Sequence, residues 1–369
     1  MSKHLSILVL CGGQSTEHDI SLLSARNVIE RLDSKKYQVS IAKISQDGTW
    51  YYFKNADHYF SDSHTHLMHI VPGHKNPFFV GNDAIPVDCV FPVLHGTNGE
   101  DGTMQGLLEI LQVPYVGADC LGSTIGMDKE VLKRLLHEAH LPVVDRCLVR
   151  KSEIHKINYK DVTQQLGDIL FVKPNSVGSA VGVNKATDED SFHAALQEAF
   201  RYDEYVLIEK AIIGREIECS VLGNENPTVS YPGEIINHTA FYSYEAKYLD
   251  EAASTVKSPA DLSPELIAQF QSLALKAYQV LRSSGMARVD FFLDRNNNIY
   301  INEINTIPGF TNISMYPKNW EASGLSYTDL LDQLITLGMK RFEYKRTLTR
   351  VFQTTEMSAV GTAHEAQRE

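Results

Sequence analysis

The chain has 369 residues, 43% of them hydrophobic, and its 34 Lys and Arg against 46 Asp and Glu leave a formal charge of −12. That length exceeds what one hydrophobic core usually holds, so two or three domains are expected. The acidic balance without a basic cluster excludes nucleic acid as a partner, and the absence of any run near 20 apolar residues excludes membrane insertion through a helix.

Met1 to His4 lead directly into Leu5 to Leu10, a short buried strand with no small-residue cleavage site behind it, so no secretory signal is expected. Cys11, Cys89, Cys120, Cys147 and Cys219 are widely spaced, lack metal-site spacing and read as reduced thiols in a cytoplasmic protein. After Cys11-Gly12-Gly13, the residues Leu22, Ala25, Ile29 and Leu32 recur at helical spacing, and Val39 to Ile44 reads as a second strand. Strand, glycine turn and helix make a Rossmann-like α/β unit, although the dinucleotide glycine fingerprint is absent. Residues 46 to 86 are poorly periodic and read as an elaboration of that domain. His58, His64, His66, His69 and His74 within them are expected at the surface rather than on a metal.

Val87 to Leu94 forms the next strand and ends in His95-Gly96-Thr97-Asn98-Gly99-Glu100-Asp101-Gly102. The carboxyl end of such a strand is where open α/β sheets hold ligands. A helix begins near Met104, a domain boundary is expected near residue 125, and Lys129 opens a helix carrying Val131, Leu132, Leu135, Leu136 and Ala139.

Lys173 ends another strand, and the following Gly/Ser loop to Val183 offers backbone amides and hydroxyls that can fold over phosphates. Its spacing matches neither a Walker A motif nor a kinase loop. Asn237 to Pro259 is long, polar and rich in aromatics, the composition of a lid or binding loop. A helix is expected over 264 to 284.

Two alternating segments, Val289 to Asp294 and Ile299 to Ile304, flank the turn-formers Arg295 to Asn298 and predict a β-hairpin. Asp290 then lies on one strand, and Glu303 with Asn305 share a face of the other. Such an oxygen-rich group suits a hard cation like magnesium, with phosphate oxygens completing its shell. Pro308-Gly309 forms a turn just beyond, a last helix spans about Tyr327 to Lys340, and a loosely held tail closes the chain.

Asn302 to Ser314, NEINTIPGFTNIS, together with GGQSTEHDIS, HGTNGEDG and the Lys173 loop in this order, resembles the ATP-grasp carboxylate-amine ligases, and within them the D-alanine:D-alanine ligases. The resemblance covers roughly residues 5 to 340. It implies an α/β, ATP-grasp, three-domain chain: 1–125 as a Rossmann-like substrate domain, 126–220 as a central lid domain, 221–345 as the catalytic domain and 346–369 as a tail. It also implies ATP-driven joining of two D-alanine molecules through an acyl phosphate, in the cytoplasm, by a homodimer that makes a peptidoglycan precursor. The cofactor calls it carries are ATP and two Mg²⁺ ions, with Mn²⁺ as a substitute.

The resemblance also distributes roles. Lys129, Lys173, Glu209, Lys210, Ile212 and Glu216 would bind the nucleotide, Glu209 and Ile212 at the base and Glu216 at the ribose. Asp290, Glu303 and Asn305 would hold the metal. Glu17 and His95 fall at the first D-alanine site, and Lys247 contacts substrate or phosphate. Tyr248 bonds toward Ser179 and Glu17. Arg288 and the Gly309 amide face the oxyanion of the tetrahedral intermediate, and Ser314 holds the second substrate's carboxylate. Two departures stand out: Val177-Gly178-Ser179-Ala180 replaces the family's usual Glu-Gly-Ser-Ser, and Ala211 replaces a frequent tryptophan. The rival readings are a D-alanine:D-lactate ligase and a non-enzymatic ATP-binding scaffold.

Overall fold

The computed structural model describes residues 4–237 and 254–350, and its strands fall into three sheets. The first is built on β1 (Leu5–Gly12), α1 (His18–Arg31), β2 (Tyr37–Ile44) and, further on, β7 (Cys89–Pro92). Strand β1 pairs in parallel with both β2 and β7. It is covered on both faces, as parallel strands are. Ile7, Val9 and Cys11 point into one core with Ala25 and Val28, while Leu8 and Leu10 point into another with Met104 and Leu108 of α3 (Thr103–Ile110).

The elaboration over 46–86 is an extension of this same sheet. It consists of β3 (Trp50–Phe53), α2 (Ala56–Phe60), β4 (His66–Ile70), β5 (Phe78–Val80) and β6 (Asp83–Ala84), giving the order β6-β5-β4-β3-β2-β1-β7. Each piece has only two to five residues, too few to establish a period in the sequence.

Helices α4 (Cys120–Met127) and α5 (Lys129–Glu138) lead into the second sheet. It is formed by β8 (Arg146–Arg150), β9 (Leu170–Pro174), β10 (Asn184–Ala186) and β11 (Tyr205–Lys210), in the antiparallel order β10-β9-β11-β8. Helices α6 (Tyr159–Leu166) and α7 (Glu189–Ala199) cover it through Val162, Leu166, Phe192 and Leu196.

The third sheet contains β12 (Gly214–Leu222), β13 (Thr228–Val229), β14 (Gly233–Asn237), β15 (Ser254–Lys257), β16 (Met286–Asp294) and β17 (Ile299–Asn305). Its main path is β15-β14-β12-β16-β17, with β13 beside β12. Alternation gives the sheet two unlike faces. Ile217, Cys219, Val221, Val289 and Phe291 pack on α8 (Pro264–Val280) through Phe270, Ala274 and Ala277. The residues between them, Glu216, Glu218, Arg288 and Asp290, therefore face the other way. A register shift at Asp290/Phe291 places Asn302 opposite no partner, and Asn302 and Glu303 both line the cleft.

Several expected limits move. The helix expected to residue 284 stops at Val280, and the chain then turns through Arg282 at φ +52° and Gly285 at φ +74°. The last helix, α10 (Tyr327–Arg346), continues beyond Lys340. Position 125 falls inside α4 and position 220 inside β12, while the second sheet gives way to the third between Lys210 and Gly214. Helices α4, α6, α7 and α9 (Met315–Ala322) were not anticipated. Small residues in α4 and Pro317 near the start of α9 obscure their helical pattern. Most of the expected lid loop and the tail from 351 lie outside the described residues.

The C-terminal helices complete the first core. Tyr316 and Trp320 of α9 and Leu330, Leu331, Leu334 and Ile335 of α10 join Ile7, Val9 and Phe91 in one cluster. Arg341 fixes this contact, donating from Nη2 to Tyr115 O at 2.9 Å with its guanidinium 4.4 Å from the Tyr115 ring centre, and also donating to Gly117 O. Gly338 permits the approach, because a Cβ there would lie 2.4 Å from Tyr115 O. Gly338→Ala should thus destabilise the protein by about 1–3 kcal/mol through overpacking, outweighing the up to ~1 kcal/mol that alanine adds in a helix. Urea unfolding midpoints of the two proteins measure the difference, and a raised midpoint would contradict the close contact.

Candidate active site

The polar face of the third sheet and the second sheet enclose a cavity of about 530 Å³, within the size range of small-molecule sites. Lys129, Lys173, Ser179, Ile212, Glu216, Asp290 and Glu303 all line it, which brings seven of the expected site residues together from both sheets, α5 and the connecting loops. Glu216 accepts from Asn237 Nδ2 at 2.9 Å. Lys210 points to solvent.

The lysines arrive already paired. Lys173 Nζ lies 2.6 Å from Glu209 Oε2 and 3.3 Å from Asn302 Oδ1. Glu209 is also ion-paired with Lys133, which lies four residues after Lys129 on α5 and is completely buried. Burial alone would raise the Glu209 carboxyl, but Lys133 and Lys173 bring it below its ordinary value. Burial pushes Lys133 down to about 8 against the opposing pull of Glu209. The Glu209 side chain thus holds two ammonium groups. Lys129 donates to Val177 O at 2.8 Å and stands 3.7 Å from Glu303 Oε2.

On β16, Arg288 forks onto Asp290, with Nε 2.7 Å from Oδ1 and Nη2 2.6 Å from Oδ2. Glu218 Oε2 lies 2.9 Å from the same Nε. Asn305 Nδ2 donates to Asp290 Oδ2 at 2.9 Å, so two expected metal ligands already touch. Among the described residues, no three His, Cys, Asp or Glu side chains are grouped so that they could hold a metal by themselves. The donors here are two carboxylates and one amide, the sparse set that magnesium accepts when phosphate and water fill its shell. The residues present fit that ion.

A second, smaller cavity of about 60 Å³ adjoins the first, and Gly178 and Ser179 border both. It is lined by Glu17, His95, Arg288, Gly309 and Ser314, the residues expected around the reacting amino acids, and by Asn305, an expected metal ligand. Ser179 and Ala180 adopt φ of +52° and +56°, a turn uncommon for non-glycine residues, and the Ser179 hydroxyl donates to Glu17 Oε1. The loop tip is thereby clasped to the first domain. Gly178 lets the loop come close, since a Cβ there would stand 2.7 Å from Glu17 Oε2 and push that carboxylate aside.

His95 serves as a strut. Its Nδ1 lies 3.0 Å from Ile307 O, which can only accept, so Nδ1 carries the proton and Nε2 accepts from Ser24 Oγ at 3.0 Å. Ser24 Oγ in turn accepts from Phe310 N at 3.2 Å. This chain of bonds fixes the 307–310 turn against the first sheet. Ser314 opens α9 without capping it, and its Oγ accepts from Thr311 N at 2.9 Å. A Cβ on Gly309 would lie 2.7 Å from that oxygen. Lys247 and Tyr248, the remaining expected site residues, lie outside the described residues.

Sequence reading passed over Lys133, Glu218 and Glu100. Lys133 shares the apolar face of α5 with Leu132 and Leu136, and a lysine at a core position was the available signal. Glu218 follows Glu216 by two on β12, hence on the same face. Glu100, 7% exposed, accepts from Gly96 N at 3.0 Å and lines the small cavity. Burial, and then the nearby Glu17, push its carboxyl up from an ordinary 4.5 to about 8. The folded chain therefore binds more protons than the unfolded one between those values, and this group's contribution to stability falls as pH rises through that window. Glu100→Gln removes the titration. Melting temperatures taken from pH 5 to 8.5 should diverge in favour of the variant as pH rises, and parallel curves would refute the buried neutral acid.

Comparison with known proteins bears on the whole chain. The family description "D-ala D-ala ligase N-terminus" matches residues 6–118, and "D-ala D-ala ligase C-terminus" matches residues 135–336. A D-alanine–D-alanine ligase of Coxiella burnetii is 44% identical, covering 97% of this chain and 100% of the relative, and that of Proteus mirabilis is 45% identical over 94% and 98%. The solved structure of a D-alanine-D-alanine ligase from Coxiella burnetii superposes with a TM-score of 0.85 at 42% identity, covering 94% of this chain and 97% of that one. The VanG D-Ala:D-Ser ligase of Enterococcus faecalis gives 0.82 at 35%, covering 91% and 100%. With both family segments matched in order and the three-sheet architecture shared along nearly its full length, this chain belongs to the D-alanine–D-alanine ligase family of ATP-grasp enzymes.

Proposed function

We propose that the chain joins two molecules of D-alanine into D-alanyl-D-alanine while cleaving ATP to ADP and phosphate. ATP-grasp ligases of this family typically use ATP with magnesium. The observation that carries the reading is the shared border of the two cavities. The larger has the size and lysines for a nucleotide, the smaller is lined by the residues expected around the amino acids, and Gly178 and Ser179 border both.

In this reading the carboxylate of the first D-alanine takes the γ-phosphoryl group across that border, forming an acyl phosphate. Lys129 and Lys173 place positive charge where the triphosphate lies, which stabilises the charge that moves during transfer. Glu17 receives the ammonium group of the first D-alanine. The ammonium of the second gives one proton to water, its amine attacks the acyl carbon, and the C–N bond forms as phosphate departs with the C–O electron pair and takes the second proton from nitrogen. Arg288 faces this small cavity, where it neutralises the oxyanion, and Ser314 at the start of α9 orients the acceptor carboxylate. Two magnesium ions, or manganese in their place, held by Asp290, Glu303 and Asn305 would neutralise phosphate charge. Lys247 and Tyr248 are assigned to the loop that shields the acyl phosphate from water.

The same reading includes a homodimer in the cytoplasm and a three-part division of the chain, its boundaries moved from residues 125 and 220 to the end of α4 and the link between Lys210 and Gly214. Light scattering of the purified protein measures the first.

Purified protein with ATP, magnesium and D-alanine should release phosphate in step with a product of dipeptide mass. ATP binding without phosphate release would favour the scaffold. Arg288→Met should lower kcat by about 100 to 1000 fold, as loss of one strong oxyanion donor does. A loss below about fivefold overturns that role.

The acceptor is the finer question, and the likeness to a D-Ala:D-Ser ligase makes D-serine a second reading beside D-lactate. Equal concentrations of D-alanine, D-serine and D-lactate at pH 7.5 should give mainly D-alanyl-D-alanine by product mass. Predominance of either other product reassigns the acceptor.

A further inference from the structure

Glu218, Asp290 and Glu303 form one row across three neighbouring strands, Glu218 opposite Asp290 and Asp290 opposite Glu303. Residues paired in this way share a face, and all three line the large cavity. Like charges placed opposite one another repel. Glu218 and Asp290 are only 5% and 8% exposed, so water screens that repulsion poorly. The compensating charge is Arg288, in the adjacent row between Ser220 and Asn305.

Arg288 serves two acids at once. Its fork is on Asp290, and its Nε is 2.9 Å from Glu218 Oε2. One of these acids has a place in the proposed reaction and the other has none. A cation approaching Asp290 competes with Arg288 for the same oxygens, one of which also accepts from Asn305. A buried guanidinium released without a counter-charge is strongly unfavourable. Glu218 provides that counter-charge beside the same Nε, on the neighbouring strand β12.

We propose that Glu218 is a positioning residue that retains Arg288 in the site when Asp290 turns to the cation, so that metal binding delivers the guanidinium to the reacting carboxyl. The inference rests on the proposed reaction, in which Asp290 engages the metal. Glu218 thereby links two functions of the hairpin, since cation affinity includes the work of moving Arg288.

The test measures Mn²⁺ binding to the full-length protein with a non-hydrolysable ATP analogue, from the free-ion paramagnetic resonance signal. Glu218→Gln should weaken Mn²⁺ about tenfold, because the displaced arginine loses its second partner. In an Arg288→Met background the same change should cost less than about threefold, since nothing is left to relocate. Equal losses in both backgrounds would make Glu218 a direct ligand or a bare charge and overturn the proposal, as would a change below about twofold in the native background.

A second readout does not require the Arg288 variant. At saturating Mn²⁺, kcat of Glu218→Gln should stay at least about tenfold below that of the native chain, because Arg288 remains misplaced. Recovery to within twofold would overturn the idea. Asp290→Asn separates the two levels of argument. If it weakens Mn²⁺ while Glu218→Gln does not, only the role of Glu218 fails; if Asp290→Asn leaves Mn²⁺ binding unchanged, the metal assignment fails and the proposal with it.

Discussion

A sheet with one greasy face and one charged face can be stable only if the charged face balances itself. The third sheet packs Val289, Phe291 and Ile217 on α8 and so sends every alternate side chain into the cleft. The result is Glu216, Glu218, Asp290 and Glu303 on neighbouring strands, together with two cations, Arg288 and Lys129, in contact with them. The surplus of acid is what a metal–nucleotide complex would complete. A site arranged in this way gives phosphate chemistry its electrostatics before any ligand arrives, at the cost of keeping Arg288 on Asp290 in the meantime.

The lysines obey the same rule from the opposite wall. Glu209 sits between Lys133 of α5 and Lys173 of β9, so the helix and the second sheet together contribute net positive charge from an almost dry interior. An isolated buried lysine would lose its proton readily; a carboxylate shared by two of them lowers that tendency and fixes their direction. The Ser179–Glu17 clasp then spans 162 residues of sequence to bring the Gly/Ser loop after β9 against the first domain. Charge supply and substrate enclosure therefore come from different sheets, and the small cavity forms where they meet.

Much of this was legible in the chain, for identifiable reasons. The hairpin could be read because Val289 to Asp294 and Ile299 to Ile304 alternate around a run of turn-formers, and alternation largely fixes which residues share a face. The first parallel strands could be read from unbroken apolar runs between glycine turns. Lys133 could not, because a lysine on a helix reads as solvent-facing until its partner, 76 residues away on β11, is known. Glu209 was expected to read the base, yet its carboxylate is spoken for by lysines from α5 and β9. His95 does line the small cavity, as expected, but the bonds by which its ring nitrogens tie down the 307–310 turn had no local sign. These are tertiary pairings, and a local pattern contains no trace of them.

The shared core beneath the first sheet has a consequence for how the protein comes to exist. Ile7, Val9 and Phe91 are sealed by Leu330, Leu334 and Ile335, residues from near the far end of the chain. During synthesis from the N-terminus, that apolar face emerges from the ribosome long before its cover does. The nascent sheet must wait, exposed and adhesive, through translation of the whole second and third sheets. Its folding is thus tied to the completion of translation, and a ribosome stalled before α10 would hold an aggregation-prone fragment in place of a finished first domain.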